Sequence, residues 1–436
     1  MGCSGLESMV VVNGNPKYDS RGNCNAIIET ASNTLIYGCK NTIIPGTVIS
    51  IGAGAFLRCT GLTSIIIPNS VKTVGARAFE GCTGLRSVEI GNSVTSIDYR
   101  TFADCTGLSS LNMGNSVTSI EREAFTGCTS LASIVIHDKV KSVGDNAFAG
   151  CTGATSVEIG NSVTSIGGGA FSDCTGLANV TIGSSVTSFG SNAFARCTGL
   201  ETVNWNAKSC ADFTSDNRPF KDVNTITAFN FGNQVKHVPS YLCFFMSGIT
   251  SLNFGKSVTS IGDLAFGNCT GLTGVTLPNS LATIGGMAFG GCSNLADITI
   301  PGSVTSIGMS LLYNCNSLMN IDCYINHPAD VELGFLAFQG VKVAECTLHV
   351  LKGRLEEYRD AYQWKDFVNI IDDLQAPVIP GDVSGDGRVN VTDVTTLVNM
   401  ILEVIPKDEL RADINGDDRV NVSDVTTLVN IILGIY

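Results

Sequence analysis

The feature that most constrains this chain is a pattern that repeats every 23 residues. Phenylalanines keep this step at seven successive positions from Phe56 to Phe194, and cysteines do so from Cys59 to Cys197. The pattern resumes at Phe266 with Cys269, Phe289 with Cys292, and Leu312 with Cys315. A unit of this length cannot bury its apolar face alone, so neighbouring units must stack. The sequence therefore predicts a solenoid.

One unit, from Cys105 to the next cysteine, predicts two short strands joined by a turn. An L-x-x-L-x-L stretch begins at Leu108, and its alternation of apolar and polar residues is typical of a half-buried strand. Gly-Asn-Ser is turn chemistry, and a second extended segment follows it. Seven side chains are expected to stack on their equivalents as core ladders: Leu108, Leu111, Met113, Val117, Ile120, Phe125 and Cys128.

The strand positions expected to face solvent are mostly small and hydroxylated. They are Thr63, Ser64, Arg86, Ser87, Glu89, Ser109, Ser110, Asn112, Thr155, Ser156, Glu158, Thr181, Thr250, Ser251, Asn253 and Thr276. Neither a Ser-His-Asp set nor a pair of carboxylates can be derived from these positions. We therefore predict that the chain is not an enzyme.

The chain has 17 cysteines, an odd number. Eleven stand at the repeat position, which favours small buried hydrophobic side chains with free thiols: Cys3, Cys59, Cys82, Cys105, Cys128, Cys151, Cys174, Cys197, Cys269, Cys292 and Cys315. Six are off-register, and one or two disulfides among them stay open: Cys24, Cys39, Cys210, Cys243, Cys323 and Cys346.

The repeat becomes irregular over residues 204–247, where aromatic residues concentrate. One interpretation is an exposed aromatic surface that binds a glycan or a peptide, since exposed rings are common binding anchors. Its candidate residues are Trp205, Phe213, Tyr241, Phe244 and Phe245. The other interpretation, which we favour, is a set of degenerate repeats whose core uses aromatic residues in place of leucine and isoleucine.

The last 60 residues contain a tandem duplication with a step of 31 residues. Oxygen-bearing side chains at loop positions 1, 3, 5, 9 and 12, with a backbone carbonyl at position 7, form the ligand set of a calcium loop. We predict two Ca²⁺ sites, with the ligands Asp382, Ser384, Asp386, Arg388 (carbonyl), Asn390 and Asp393, and Asp413, Asn415, Asp417, Arg419 (carbonyl), Asn421 and Asp424. Position 12 is aspartate in place of the usual glutamate, and Asp418 replaces the glycine of position 6.

Each calcium loop leads into an apolar pattern with helical spacing, which begins at Val394 and again at Val425. Two short helices form a very small core, so metal binding is expected to supply much of the folding energy. The expected domains are a solenoid over residues 1–372 with a closing cap at about 346–372, a linker over 373–380, and a small all-α calcium-binding domain over 381–436.

The Phe-x-x-Cys-x-x-Leu-x-x-Val/Ile-x-Ile unit resembles the BspA-like leucine-rich repeats of bacterial surface proteins. Residues 15–30 resemble an insertion common in Bacteroides-group members, and residues 346–350 with the later Trp364–Phe367 resemble a closing cap. The resemblance implies a right-handed, β-rich leucine-rich-repeat solenoid. It also implies a cell-surface or secreted protein that adheres to a host or microbial surface protein or glycan.

The duplicated loop–helix unit resembles type I dockerins, which dock onto cohesin modules. This resemblance implies a cohesin-like partner. The positions that contact cohesin in that family hold Val391, Thr392, Val398 and Asn399 in the first half, and Val422, Ser423, Val429 and Asn430 in the second. Cellulosomal members often have a Lys-Arg pair in the helix, so cohesin specificity does not carry over. The likeness of the two halves would permit two symmetry-related docking modes.

Composition narrows the function further. The net charge of −13 and the absence of a basic patch argue against nucleic acid as a partner. No apolar run has the roughly 18 residues of a membrane span. The chain opens inside a repeat, so we expect a fragment whose export signal is missing.

The leading hypothesis is an adhesive solenoid attached to a scaffold or surface partner by a calcium-dependent, dockerin-like module. The first alternative is a structural spacer with a calcium-stabilised end cap. The second is a non-catalytic part of a larger, secreted polysaccharide-degrading protein.

Overall fold

A computed structural model describes residues 5–375, 381–385, 389–417 and 419–435. Its contacts divide the chain into two compact units. Unit 1 runs through Leu272 and includes Ala288–Cys292, and unit 2 holds Thr273–Met287 and the chain from Ser293 onwards. Cys3, Asp386 and Arg388, which the sequence assigns to the cysteine ladder and the first calcium loop, lie outside the described residues.

Unit 1 begins with an antiparallel meander over the segment that resembles the Bacteroides-group insertion. Its strands are β1 (Tyr18–Asp19), β2 (Ala26–Glu29) and β3 (Thr34–Gly38), and a 3-10 turn at Arg21–Asn23 joins the first two. Strand β3 then pairs in parallel with β4 (Ser50–Ile51), which belongs to the first full turn of the solenoid. The meander therefore continues directly into the solenoid sheet.

Each later turn of the solenoid, called a rung here, contributes one longer and one shorter strand. The longer strands of unit 1 are β5 (Ser64–Ile67), β7 (Ser87–Ile90), β9 (Ser110–Asn112), β11 (Ser133–Ile136), β13 (Ser156–Ile159), β15 (Asn179–Ile182), β17 (Thr202–Trp205), β18 (Ala228–Phe231) and β20 (Ser251–Asn253). The shorter strands are β6 (Thr73–Val74), β8 (Ser96–Ile97), β10 (Ser119–Ile120), β12 (Ser142–Val143), β14 (Ser165–Ile166), β16 (Ser188–Phe189), β19 (His237–Val238) and β21 (Ser260–Ile261).

Equivalent strands pair in parallel, and their registers reproduce the repeat. Ile134 pairs with Val157, for example, and Val157 pairs with Val180. The longer strands form two sheets, β5-β7-β9 and β11-β13-β15-β17-β18-β20. At the interruption Leu111 is only half-buried, unlike the other six predicted ladder residues of its rung, and it lines a cavity of about 230 Å³.

Unit 2 continues the same strand types. Its longer strands are β22 (Gly274–Thr276), β24 (Asp297–Ile300), β26 (Asn320–Cys323), β28 (Thr347–Leu351) and β29 (Asn369–Leu374), and its shorter strands are β23 (Thr283–Ile284), β25 (Ser306–Ile307) and β27 (Glu332–Leu333). Helix α1 (Leu355–Asp360) and 3-10 turns at Pro328–Asp330 and Trp364–Asp366 complete it. Tyr358 and Trp364 are buried near the last strands, and the Tyr358 hydroxyl donates to the Ile325 carbonyl at 2.7 Å.

The predicted ladders form the core of the solenoid. The rings of Phe148 and Phe171 stack with centroids 5.5 Å apart, and the same stacking runs from Phe56 to Phe220. Each ladder cysteine adds a hydrogen bond to this core, since Cys128 Sγ donates to the Phe102 carbonyl of the preceding rung at 3.2 Å. Both features confirm the leucine-rich-repeat solenoid and its 23-residue repeat.

The described cysteines are all buried and free, including the six off-register ones. Burial raises the pKa of the Cys105 thiol to about 12 and that of Cys323 to about 11. The open question of disulfides is thereby answered for the described residues. Each of these thiols occupies a packing position in the core.

The irregular region owes its pattern to one longer rung. The step from Phe194 to Phe220 is 26 residues, and Cys243 then occupies the ladder position that phenylalanine holds elsewhere. Larger strand residues pack near this smaller side chain, and the Phe231 ring meets Phe266 edge-on at 6.1 Å. Trp205 and Phe213 are buried in the same core, which confirms the interpretation of degenerate repeats for these two residues.

The C-terminal part holds helices α2 (Val391–Ile401), α3 (Glu409–Ala412) and α4 (Val422–Leu433). Its own small core contains Val383, Leu397, Met400, Ala412 and Leu428. The helices α2 and α4 begin at Asn390 and Asn421, and both of these residues form capping boxes. The predicted duplication is therefore repeated in the local structure.

Candidate functional site

The first predicted calcium loop is organised around two buried carboxylates. Asp382 Oδ1 accepts from the Gly385 amide at 2.8 Å, and Asp393 Oδ1 accepts from the Ser384 amide at 2.9 Å. The second oxygen of Asp393 accepts from the Asn390 amide at 2.7 Å and so caps α2. Position 12 of the loop therefore fixes both ends of the loop to the helix that follows.

The second loop repeats this arrangement. Asp413 Oδ1 accepts from the Gly416 amide at 2.9 Å. Asp424 Oδ1 accepts from the Asn415 amide at 3.2 Å, and its other oxygen accepts from the Asn421 amide at 2.9 Å. Asn415 Oδ1 also accepts from the Asp417 amide at 2.9 Å. The equivalent glycines, Gly385 and Gly416, both adopt left-handed conformations, with φ of 74° and 72°.

The donor set of these loops fits calcium. The side-chain ligands that we assign are oxygen donors from aspartate, asparagine and serine, as a hard cation requires. Asp382, Asp393 and Asp424 are buried, and burying a carboxylate is costly unless a cation or hydrogen bonds compensate it. Within the described ranges, no three His, Cys, Asp or Glu side chains form a metal-type cluster, so amide, hydroxyl and main-chain oxygens would have to complete each site.

The predicted docking residues lie at matching places on α2 and α4. Val391 and Val422 are 71% and 68% exposed at the starts of the helices. Val398 and Val429 are both 37% exposed, two turns further along. Thr392 and Ser423 are exposed, and Asn399 and Asn430 are half-buried. The two halves thus present the same small apolar patch to solvent.

The predicted aromatic surface must be corrected, because only three of its five residues reach solvent. Trp205 and Phe213 are core residues, since the longer rung directs them inward to fill space beside the Phe ladder. Phe245 is 57% exposed, and Tyr241 and Phe244 are half-buried. These three, called the aromatic cluster below, contact each other with centroids 5.3 Å and 4.4 Å apart.

The buried Arg218 supports the aromatic cluster from below. Its guanidinium lies 5.3 Å from the centroid of the Phe244 ring and donates to the Phe244 carbonyl. Its Nε donates to the Ser215 carbonyl at 3.0 Å. Burial lowers the pKa of this guanidinium from its ordinary value. The arginine therefore fixes the backbone that carries the exposed rings.

The structure also brings together a Ser-His-Asp set that the sequence did not reveal. His237 Nδ1 lies 2.8 Å from Ser260 Oγ, and its Nε2 lies 2.9 Å from Asp212 Oδ1. Burial tends to raise the pKa of Asp212, but hydrogen bonds from His237 and Ser240 outweigh it and lower that pKa. The 23-residue step from His237 to Ser260 was a usable signal, whereas Asp212 lies in the longer rung. The set extends the hydroxyl pairs seen on other rungs, such as Ser96 with Ser119 at 3.0 Å.

The fold and the paired loops together define a leucine-rich-repeat solenoid with a calcium-loop module at its C-terminal end. The BspA-type leucine-rich repeat region matches in three overlapping segments, residues 32–154, 118–244 and 240–351. The chain therefore belongs to the BspA-type leucine-rich-repeat family. Residues 380–433 match the type I dockerin domain.

Solved structures with similar folds come from bacterial leucine-rich-repeat proteins. A leucine-rich cell surface protein from Faecalibacterium prausnitzii is 26% identical over 73% of this chain and 95% of its own, with a TM-score of 0.40. A leucine-rich repeat protein from Bacteroides ovatus is 29% identical over 74% of this chain and 87% of its own, with a TM-score of 0.45. No curated protein matches the chain.

These domains define the general kind of protein. Leucine-rich repeats of this type and type I dockerins are non-catalytic interaction modules, typical of secreted or cell-surface proteins. Dockerins as a class bind calcium and cohesins. In the part of the chain that is described, no helix has both the length and the apolar character to cross a bilayer.

Proposed function

We propose that the chain is an adhesive solenoid that a calcium-dependent dockerin domain attaches to a cohesin-bearing scaffold or surface partner. The observation that carries this proposal is the coincidence of two calcium-type loops with two matching exposed patches on α2 and α4. A module that served only to close the solenoid would have no need to expose the same valines twice. The domain boundaries proposed are residues 1–372, 373–380 and 381–436.

Two calcium ions are part of this proposal, one in each loop. Asp382, Ser384, Asp386, Asn390 and Asp393 would hold the first ion together with the Arg388 carbonyl. Asp413, Asn415, Asp417, Asn421 and Asp424 would hold the second with the Arg419 carbonyl. The ions would neutralise buried carboxylates and fix the entry of each helix, which keeps both patches in place.

The docking surface would be used in two equivalent ways. Because Val391 corresponds to Val422 and Val398 to Val429, either half can present the same apolar contact to a cohesin. Exposed valines with neighbouring hydroxyl and amide groups suit an interface with an apolar centre and a polar rim. A cohesin rotated by half a turn would meet an equivalent set of side chains.

The solenoid would bind its surface partner through the aromatic cluster. Tyr241 and Phe245 have φ of 59° and 63°, a left-handed conformation that is unfavourable for bulky residues. Other rungs place Asn146, Asn192 or Asp173 in this conformation, and short polar side chains tolerate it better. Local strain at exposed aromatic residues favours a binding role.

The docking proposal is tested with the full chain on a sensor surface and a panel of type I cohesin modules in solution. We expect binding in millimolar calcium and its loss in chelator. No binding by any cohesin while calcium is bound would contradict the docking proposal and favour a metal-stabilised end cap.

The adhesion proposal is tested separately with the variant Tyr241→Ala/Phe245→Ala. We expect weaker retention of this variant on immobilised surface proteins and glycans, with unchanged cohesin binding. Equal retention of variant and wild type would favour the spacer alternative.

A further inference from the structure

One rung of unit 1 lacks side chains at three successive positions. Between its shorter strand and its ladder phenylalanine, this rung has Gly167, Gly168 and Gly169. The preceding rung has Gly144, Asp145 and Asn146 at these positions, and the following rung has Gly190, Ser191 and Asn192. The side chains of the flanking rungs therefore border an open space.

This space is a polar, solvent-open cavity of about 560 Å³, called the triple-glycine cavity here. Its lining includes Arg122, Asp145, Asn146, Ser172, Asn192 and Arg196. The volume lies within the usual range for small-molecule sites, about 300–1,000 Å³. The cavity is separate from the aromatic cluster and from the C-terminal loops, because it shares no residue with them.

The backbone of the glycine rung is fixed on both sides. Asp145 Oδ1 accepts from the Gly168 amide at 2.7 Å, and the Asn146 amide donates to the Gly168 carbonyl at 2.9 Å. On the other side the Gly169 amide donates to the Ser191 carbonyl at 3.0 Å. The cavity is therefore bounded by continuous rungs.

Packing does not require glycine at position 168. A Cβ atom there would lie 3.4 Å from the Ser191 carbonyl oxygen and 3.6 Å from Asp145 Oδ1, which are ordinary contacts. Gly168 also has no left-handed φ, unlike Gly169 with φ of 60°. A serine, as in the next rung, would fit at this position and occupy the cavity. Its absence leaves room for a ligand.

The lining chemistry indicates what kind of ligand fits. Arg122 Nε pairs with Glu123 at 2.9 Å, and Arg196 pairs through two nitrogens with Asp173, so both arginine charges are compensated. This pairing argues against a highly charged anion. Asn146, Asn192 and Ser172 supply donors and acceptors side by side, which vicinal hydroxyl groups require. We propose that the triple-glycine cavity binds a sugar unit of a neutral oligosaccharide.

The test uses the full chain and a panel of defined neutral oligosaccharides: β-1,4-glucan, β-1,4-xylan, β-1,4-mannan and α-1,4-glucan tetramers. Affinities are measured by isothermal titration for wild type, Gly168→Ser and the control Ala76→Ser, which adds the same hydroxyl at the equivalent position of another rung. We expect at least one tetramer to bind wild type and Ala76→Ser equally. Gly168→Ser should weaken it at least tenfold with an unchanged melting temperature.

A second variant separates filling of the cavity from loss of hydrogen bonds. Asn146→Ala/Asn192→Ala leaves the space open but removes both amides, and it should also weaken binding at least tenfold. Tyr241→Ala/Phe245→Ala should leave it unchanged, so this site succeeds or fails independently of the aromatic cluster. No binding by any tetramer, or equal binding by wild type and Gly168→Ser, would overturn the proposal.

Discussion

Val391 and Val422 occupy the same position in two loop–helix units, and their side chains are exposed to nearly the same extent, 71% and 68%. Each valine follows directly on the asparagine that caps its helix, and each cap is fixed by the aspartate at position 12 of its loop. The calcium loops and the docking patch are therefore connected through one short segment in each half. Metal binding and docking are expected to depend on each other.

Calcium stoichiometry is the first consequence. Wild type should bind two Ca²⁺ ions, and Asp393→Asn or Asp424→Asn should each remove one, because the amide keeps the shape but loses the charge that a hard cation requires. Isothermal titration of the metal-free chain measures the number of sites. Asp408→Asn, which lies between the loops, serves as the control and should keep both. Two ions in either loop variant would show that position 12 is not a ligand.

The phenylalanine ladder should dominate the stability of unit 1. Phe148 is fully buried between Phe125 and Phe171, with centroids 5.0 Å and 5.5 Å away. Phe148→Ala should cost about 3–5 kcal/mol, the usual range for a buried phenylalanine. Phe245→Ala, at an exposed position, should change stability by less than about 1 kcal/mol. Urea unfolding followed by circular dichroism compares them, and similar costs would contradict the ladder model.

The ladder thiols should be unreactive in the native state. They are buried, and Cys105, whose pKa burial raises to about 12, donates to the Phe79 carbonyl at 3.2 Å. Thiolate is the reactive species, so burial and a raised pKa both suppress reaction. In a chain with Cys3→Ser, a disulfide reagent should label the thiols only after denaturation. Rapid labelling of several thiols under native conditions would exclude this packing.

Glu80 should make stability depend on pH in the acidic range. It is buried and accepts hydrogen bonds from Arg77 and from Arg100, at 3.1 Å for the latter. The Arg77 hydrogen bond, with help from Arg100, lowers its pKa despite the opposing effect of burial. The folded state then binds fewer protons than the unfolded state, so this stability is present above the unfolded pKa of about 4.3 and is lost as pH falls through the lowered folded value.

The variant Glu80→Gln tests this dependence. It should cost about 1–3 kcal/mol at neutral pH, the typical value for a lost charged hydrogen bond. Its free energy of unfolding should also fall less steeply than that of wild type below about pH 5. Glu89→Gln, at an exposed strand position, should follow wild type. Parallel acid dependences of Glu80→Gln and wild type would contradict the assigned role.

Much of the fold follows from the sequence because stacking enforces equal spacing. Ladder residues such as Phe125 and Cys128 were predicted from the period alone, since each must lie on its equivalent in the next rung. The fate of Trp205 and Tyr241 was not predictable in the same way. Three extra residues before Phe220 change which side chains face inward, and spacing alone does not say where an insertion is absorbed.

The candidate sites follow the same division. Local chemistry predicted the calcium loops, because their ligands are close together in the sequence and are repeated. The Asp212–His237–Ser260 set and the triple-glycine cavity depend on contacts across rungs. The glycine triplet at Gly167–Gly169 is visible in the sequence, but its meaning depends on the side chains of the two flanking rungs.

The most direct test of the account is cohesin binding by variants of each half of the dockerin domain. Val391→Asp/Val398→Asp and Val422→Asp/Val429→Asp are compared with wild type and with the fourfold variant, each in calcium and in chelator. The account predicts that each double variant keeps calcium-dependent binding within about threefold, whereas the fourfold variant loses about a hundredfold or more, as expected when the central contacts of an interface are removed. Wild-type affinity in the fourfold variant, or binding that persists in chelator, would contradict it.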